Sequence, residues 1–524
     1  MKESFQSLGK DMNIGIRRLI YLNAAALDHV ISPVVKELKS RHGIETAMLT
    51  SKALLPRSAP FFDRDVFSEI IDVRPLLELR RPDQLPPAGE LARRARLVET
   101  EFGVSLLDSI RSDRHLGIGF VTGARFMRSR YGHSATYAQS LDLVLRIADF
   151  SKELLARLEP IAILGYPGTI FSTCLISLAE AKGIPMRMLW ASRRGKSFAW
   201  ATDRWGWPKG FQAAFEREMK LAQCDSEGVT RAENLGTPAR AKLYIDGLRK
   251  RASFRALFRD YYKTVRNNWR RVLFPFSRTT YGEYAFFHRF AFATERWLWL
   301  RRTIAETPKL ATLPEGAPAI FFPLHMEPEA SLMVEAADAD NQLTCIDWLA
   351  KAVPAGWYVL IKEHPAAAAP RPKGFWDQLR RYPNVIVLAT LERSEDAVDR
   401  SMAVAVINST VGIQAAALGK PVLSFHKHYN GVVLPHVLLA ESFAGTKLAL
   451  RRIEANDLPS MAERLNAVAA FFRVADQFEF SLDDDALISG KPGRTRAKPE
   501  VVEMFLATFL ATLDTESNTV DRVA

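Results

Sequence analysis

The sequence predicts an α/β protein made of two units of mainly parallel sheet, joined by a basic helical stretch. Three observations carry that expectation. Strand-like and helix-like runs alternate five times between Ala319 and Phe425. A strand–loop–helix–strand unit occurs earlier, within "PIAILGYPGTIFSTCLISLAEAKGIPMRMLW". Between them lies helical sequence rich in arginine. A chain of 524 residues also exceeds one comfortable core, at roughly 150 residues per domain.

Taken in order, the chain opens with the apolar run "LIYLNAAA", then helically spaced apolar residues ending at Gly43, then another strand-like run. Residues 87–158 read as mainly helical. The early βαβ unit is expected as a strand over Ile161–Leu164, a helix over Thr169–Ala181, a stop at Gly183 and a strand over Met186–Trp190. After the basic stretch, strands are expected at Ala319–Pro323, "YVLIK", "NVIVLA", "VAVIN" and "PVLSF", with a helix at "TVGIQAAALG" closed by Gly419. The expected boundaries are 1–230, 231–310, 311–455 and a helical tail over 456–524.

Composition narrows the class. With 48% hydrophobic and 25% charged residues, the chain is neither globally disordered nor fibrous. Three widely spaced cysteines make neither a disulfide framework nor a zinc motif. The N-terminus lacks an uninterrupted apolar core, and no run of about 18 apolar residues occurs, so a cytoplasmic protein is expected, peripheral to the membrane at most. The net charge of +12 is concentrated: from Arg240 to Arg302, 16 Lys and Arg stand against four acids. Aromatics interleave with those arginines. Two expectations stay open there: helices with inward aromatics and solvated arginines, or a surface for an anionic membrane, an acidic glycan or a capsule assembly complex. No nucleic-acid signature accompanies the charge.

Open α/β sheets bind ligands beyond the C-terminal ends of their strands, and three unusual clusters lie at such ends. In "FFPLHMEPEAS", His325 and Glu327 could supply a general base or bind a sugar hydroxyl, while Glu329 suits the start of a helix. In "YVLIKEHP", Lys362 and His364 could hold a phosphate or ribose, with Pro365 fixing the chain's direction. In "VINSTVGIQ", Asn408, Ser409 and Thr410 precede a helix whose first N–H groups attract an anion; simple N-capping by one hydroxyl is the plainer alternative. Neither a P-loop nor a dinucleotide fingerprint occurs. His426, His428 and His436 lack the carboxylate support a metal site would want, so no metal is expected.

The order "FPLHMEPEAS", "IKEHP", "NSTVGIQAAALGKPVLSF" and "HKHYN" resembles the bacterial capsule polysaccharide synthase family, related to the Kdo transferases and more distantly to bacterial sialyltransferases. The resemblance implies a GT-B glycosyltransferase: two facing Rossmann-like domains, the C-terminal one binding a nucleotide sugar. It implies that His364 with Pro365 contacts the donor nucleotide, and that Ser409 with Thr410 holds its phosphate. Contact of His428 or Tyr429 with donor or acceptor is expected, and "ASRRGKSFAWATD", with Arg193, resembles an acceptor-side stretch alongside Glu329. His325-Met326-Glu327 stands where Kdo transferases carry Gln-x-Asp. The expected chemistry is sugar transfer from a nucleotide sugar, CMP-linked favoured, to a surface polysaccharide or glycolipid, with the nucleotide sugar as co-substrate and no further cofactor. A CDP-glycerol-type polyol-phosphate transferase, or a non-catalytic glycan- or nucleotide-sugar-binding partner, are the alternatives.

Overall fold

The computed structural model describes residues 17–24, 26–51, 62–116, 135–192, 196–221, 247–273, 286–364, 371–372, 374–427, 432–489, 493 and 495–520. The strands are β1 (Arg17–Leu22), β2 (Ile44–Thr50), β3 (Glu69–Asp72), β4 (Ala162–Leu164), β5 (Met186–Ala191), β6 (Ser197–Ala201), β7 (Ala319–Pro323), β8 (Tyr358–Lys362), β9 (Val385–Leu388), β10 (Ala403–Val406), β11 (Val422–Ser424), β12 (Val437–Leu439) and β13 (Glu479–Ser481). They form two sheets.

The first sheet runs β13-β6-β5-β4-β1-β2-β3. Strands β1 to β5 are parallel, and β6 and β13 add antiparallel at one edge. The opening helix, Asp28–His42, stops where expected: Gly43 adopts φ 62°, and its N–H donates to the Lys39 carbonyl at 3.2 Å. The second sheet runs β12-β11-β10-β7-β8-β9 and is wholly parallel. Its central strands are buried on both faces, which is why β7, β8 and β10 read as unbroken apolar runs.

Both sheets are doubly wound. In the second, the chain lays β7, β8 and β9 outward in one direction, then returns to place β10, β11 and β12 on the other side of β7. The order reverses between β7 and β10, which opens a crevice beyond their C-terminal ends. The first sheet reverses in the same way between β1 and β4. Glycine permits close packing at both points. A Cβ on Gly165 would lie 2.6 Å from the Leu22 side chain, and one on Gly412 would lie 2.8 Å from Val406.

The stretch 456–524, set apart by the sequence reading as a helical tail, returns to the first unit. Its helix Met461–Phe478 packs on helix Phe211–Leu221, with Phe211 and Phe471 ring centroids 5.5 Å apart and Arg473 donating to Glu218 at 2.6 Å. Strand β13 pairs with β6, and helix Pro499–Val520 covers that edge through Phe505 and Phe509 against Trp200. Strands β3, β6, β12 and β13 were not expected from sequence. All are short, at three to five residues, and none carries a long apolar run.

Of the basic stretch, helices Phe254–Leu273 and Phe286–Ile304 pack together. Tyr261 Oη and Thr294 Oγ1 are 2.6 Å apart, and Arg296 pairs with Asp260.

Candidate functional site

The crevice of the second unit collects most of the candidate residues. Leaving β7, the chain hydrogen-bonds back to β8 through Leu324 N–H and the Lys362 carbonyl (2.8 Å), then buries His325. The His325 N–H donates to Gln342 Oε1 at 2.6 Å, and Gln342 Nε2 donates back to the His325 carbonyl at 3.2 Å. The imidazole points across the reversal point, with Nε2 3.4 Å from the Asn408 backbone N–H at the end of β10. His325 and Asn408 therefore meet, although 83 positions separate them in the chain.

Glu327 lies beneath this loop and not at its mouth. Its side chain is 5% exposed, Arg371 Nη1 stands 3.3 Å from Oε2, and Gln342 Nε2 donates to Oε1. Arg371 grips Glu363 more tightly, through Nε to Oε2 and Nη2 to Oε1, both at 2.7 Å, and also donates to the His325 carbonyl at 2.5 Å. One buried guanidinium thus holds two carboxylates and the β7 loop. A Glu–Arg–Glu cluster of this kind persists in a low-dielectric interior because the guanidinium lies against both carboxylates, with Gln342 and the His364 N–H donating to them as well. Burial works against the Arg371 charge, and the two glutamates outweigh it, so its pKa is raised.

Lys362 ends β8 on the opposite face. It is 4% exposed, and among the described residues its ammonium makes no hydrogen bond or ion pair. Burial pulls its pKa down to about 8, against the weaker upward pull of Glu395, Glu363 and Glu392. His364 follows, partly buried, its backbone N–H donating to Glu363 Oε1 at 2.8 Å. Pro365, His428, Tyr429 and Arg193 lie outside the described residues.

Beyond β10, Ser409 caps helix Thr410–Ala417, its Oγ accepting from Val411 N–H at 3.3 Å. Among the described residues, no carboxylate reaches the first-turn N–H groups. Asn408 is buried, donates through Nδ2 to Glu335 Oε2 at 3.3 Å and to the Ser331 carbonyl, and leaves Oδ1 without a hydrogen bond. Glu329 is only partly buried and accepts from Ser331 Oγ at 2.8 Å.

The first unit's crevice faces this site. Tyr166, just past β4, donates to Glu335 Oε1 at 2.8 Å, so Glu335 bridges Tyr166 and Asn408 across the two units. Burial, followed by the Glu335 charge, pushes the Tyr166 phenol well above its ordinary range and keeps it a donor. A second link runs from Arg111 to the Ala337 carbonyl and to Asp340 at 3.6 Å; burial raises the Asp340 carboxyl despite Arg111. The helix after β4, Ile170–Ala181, is capped twice: Thr169 Oγ1 accepts from Ser172 N–H at 3.2 Å, and Asp113 Oδ2 accepts from Ile170 N–H at 2.8 Å.

Residues 293–434 match the capsule polysaccharide biosynthesis protein family. That segment carries β7 to β11, the crevice and every second-unit candidate residue. No curated protein is significantly similar to the chain. Among solved structures, the chain is similar to the KpsC beta Kdo 2,7 transferase of Thermosulfurimonas dismutans, with 14% identity over 72% of this chain and 91% of that one, at a TM-score of 0.31. UDP-GlcNAc 2-epimerase from Neisseria meningitidis, bound to UDP-GlcNAc, matches with 12% identity over 88% of this chain and 100% of that one, at 0.22. A glycosyltransferase from Rickettsia africae matches with 8% identity over 91% and 97%, at 0.27.

Sequence reasoning missed Arg371, Gln342, Glu335, Tyr166 and Asp113. Tyr166 had a usable signal, since it lies between a strand and the helix that follows it; Asp113, 57 positions before Ile170, had none. Gln342 and Glu335 sit in and before an ordinary amphipathic helix, and only the folded loop gives them partners.

Proposed function

We propose that the chain is a glycosyltransferase that moves a sugar from a nucleotide-sugar donor, CMP-linked by preference, to a surface or capsular polysaccharide or glycolipid acceptor. One observation carries this reading. Within the capsule-family segment, the reversal point between β7 and β10 brings an open helix N-terminus beside two buried polar groups, His325 and Asn408. A phosphate at Thr410 would gain backbone N–H donors and the helix dipole.

In this proposal the leaving nucleotide is stabilised by Lys362, His364, the Ser409 and Thr410 hydroxyls and the helix N-terminus. These groups favour the charge that grows on phosphate as the glycosidic bond breaks. Glu327 acts as a positioning residue, because Arg371 and Gln342 occupy its oxygens and it is buried. Glu329, on the partly exposed side of the same loop, is the carboxylate placed to accept the acceptor hydroxyl's proton. Tyr166 and Glu335 mark where the acceptor-side unit meets the donor site.

The test is nucleotide release from CMP-, UDP- and GDP-linked sugars in the presence of an oligosaccharide acceptor, with product mass read alongside. Turnover is expected with one nucleotide class, falling by about 100-fold in Ser409→Ala/Thr410→Ala and in His364→Ala, as when transition-state donors are removed. Full turnover in both variants would sink the assignment. A product heavier by a phosphodiester-linked polyol would point to the polyol-phosphate reaction instead.

A further inference from the structure

A separate feature lies on helix Phe254–Leu273, outside the capsule-family segment. Phe254, Phe258, Tyr262, Val265 and Trp269 are 57%, 66%, 67%, 39% and 64% exposed. At about 100° per residue, all five fall within about 80° of arc, and the stripe from Phe254 to Trp269 is about 22 Å long. Most of the face that packs on helix Phe286–Ile304 lies on another arc: Ala256, Leu257 and Thr264 are buried, and Tyr261 and Asp260 make interhelical contacts, while Phe254, at the edge of the stripe, meets Trp297 with ring centroids 4.8 Å apart. Tyr261, packed on Phe290, meets the inward-aromatic expectation, whereas Phe258, Tyr262 and Trp269 turn outward. Four aromatics aligned on one exposed face exceed the single scattered apolar residues of an ordinary surface.

The flank of the stripe is basic. Arg255, Arg259, Lys263 and Arg266 occupy the next arc of the helix, and over residues 247–273 nine Lys and Arg stand against Asp260 alone. That one acid is already taken by Arg296.

We propose that this face docks the protein on an anionic phospholipid surface. The helix lies in the plane of the interface, with the aromatic stripe entering the boundary between headgroups and acyl chains and the neighbouring cations pairing with lipid phosphates. Aromatic rings with one polar edge, such as Tyr262 and Trp269, suit that depth. Among the described residues no helix is long and apolar enough to cross a membrane, so attachment is to one leaflet. A nucleic acid or acidic protein would use the basic arc but would leave the apolar stripe in water. Charge and apolarity side by side select lipid.

The test is co-sedimentation of the full chain with vesicles of phosphatidylcholine and with equal mixtures of phosphatidylcholine and phosphatidylglycerol. The protein should pellet with the mixture and stay in solution with phosphatidylcholine alone. Phe258→Ser/Tyr262→Ser/Trp269→Ser should weaken binding by at least about tenfold, and Arg255→Gln/Arg259→Gln/Arg266→Gln should weaken it and flatten its salt dependence. Every substituted side chain is exposed, so Tm should hold in both variants; the single change Trp269→Ser, weaker by a smaller factor, serves as a second measure. Failure of the unaltered chain to bind the mixture would overturn the proposal. So would equal binding to phosphatidylcholine, or wild-type binding by the triple serine variant.

Discussion

The two crevices are built alike and finished differently. In each, a central parallel strand turns through a Ser- or Thr-capped loop into a helix that packs back on the sheet. In the first unit the helix start is closed, because Asp113 sits on the Ile170 N–H and supplies negative charge where the dipole wants it. In the second unit, among the described residues, the neutral Ser409 hydroxyl alone caps the helix. Glu327 and Glu363, at the ends of β7 and β8, both pair with Arg371. Under the proposed function, that open N-terminus is where the donor phosphate would bind.

The largest expected effect follows from removing that arginine. Arg371→Ala should leave two buried carboxylates unpaired and cost about 3–5 kcal/mol of stability, read from denaturant midpoints. If the loss is under about 1 kcal/mol, the cluster does not organise the loop as described.

Next in size is closing the open end. Ser409→Asp keeps a good cap but places a carboxylate where the donor phosphate would sit, so nucleotide affinity should fall by about 10- to 100-fold in titration calorimetry, with Tm held or slightly raised. The mirror change, Asp113→Asn, should cost about 1 kcal/mol and leave nucleotide affinity alone. Equal effects of the two on nucleotide binding would erase the distinction between the crevices.

The smallest effect is a pH dependence. Lys362 has a folded pKa of about 8, below the 10.5 of an unperturbed lysine. The unfolded chain therefore binds more protons between those values, and stability should rise as pH climbs from about 8 to about 10.5. Donor affinity should move oppositely, weakening above about pH 8 as the ammonium discharges. Lys362→Arg should shift that alkaline limb beyond the measurable range, because a guanidinium stays charged.

Much of the second unit was legible because its strands are buried on both faces. An unbroken apolar run such as "AIFFP" or "YVLIK" locates a central strand, and the polar residues that end it locate the crevice. The pairing of Glu363 with a cation was also foreseeable, since a carboxylate beside a core strand needs one. Its partner was not: Arg371 lies eight residues on, in a proline-rich stretch with no periodicity to place it. Glu327 was read as a general base or a sugar-hydroxyl ligand, and its contacts with Arg371 and Gln342 were not legible, because sequence shows residue type but not exposure. The Tyr166–Glu335–Asn408 bridge joins three segments far apart in the chain, and nothing local to any of them encodes it. The aromatic stripe was visible as composition, but its outward direction depended on which face helix Phe286–Ile304 covers.

The antiparallel edge made by β13 ties the order of synthesis to the order of assembly. The first sheet begins at Arg17 but takes its last strand from Glu479–Ser481, and helix Pro499–Val520 covers that edge. A nascent chain emerging at about 5–20 residues per second must therefore carry an unfinished first unit while the whole second unit is being made. The second sheet, contiguous from β7 to β12, can close first. Cutting the chain between the two units would leave the second one whole and the first one with an exposed edge.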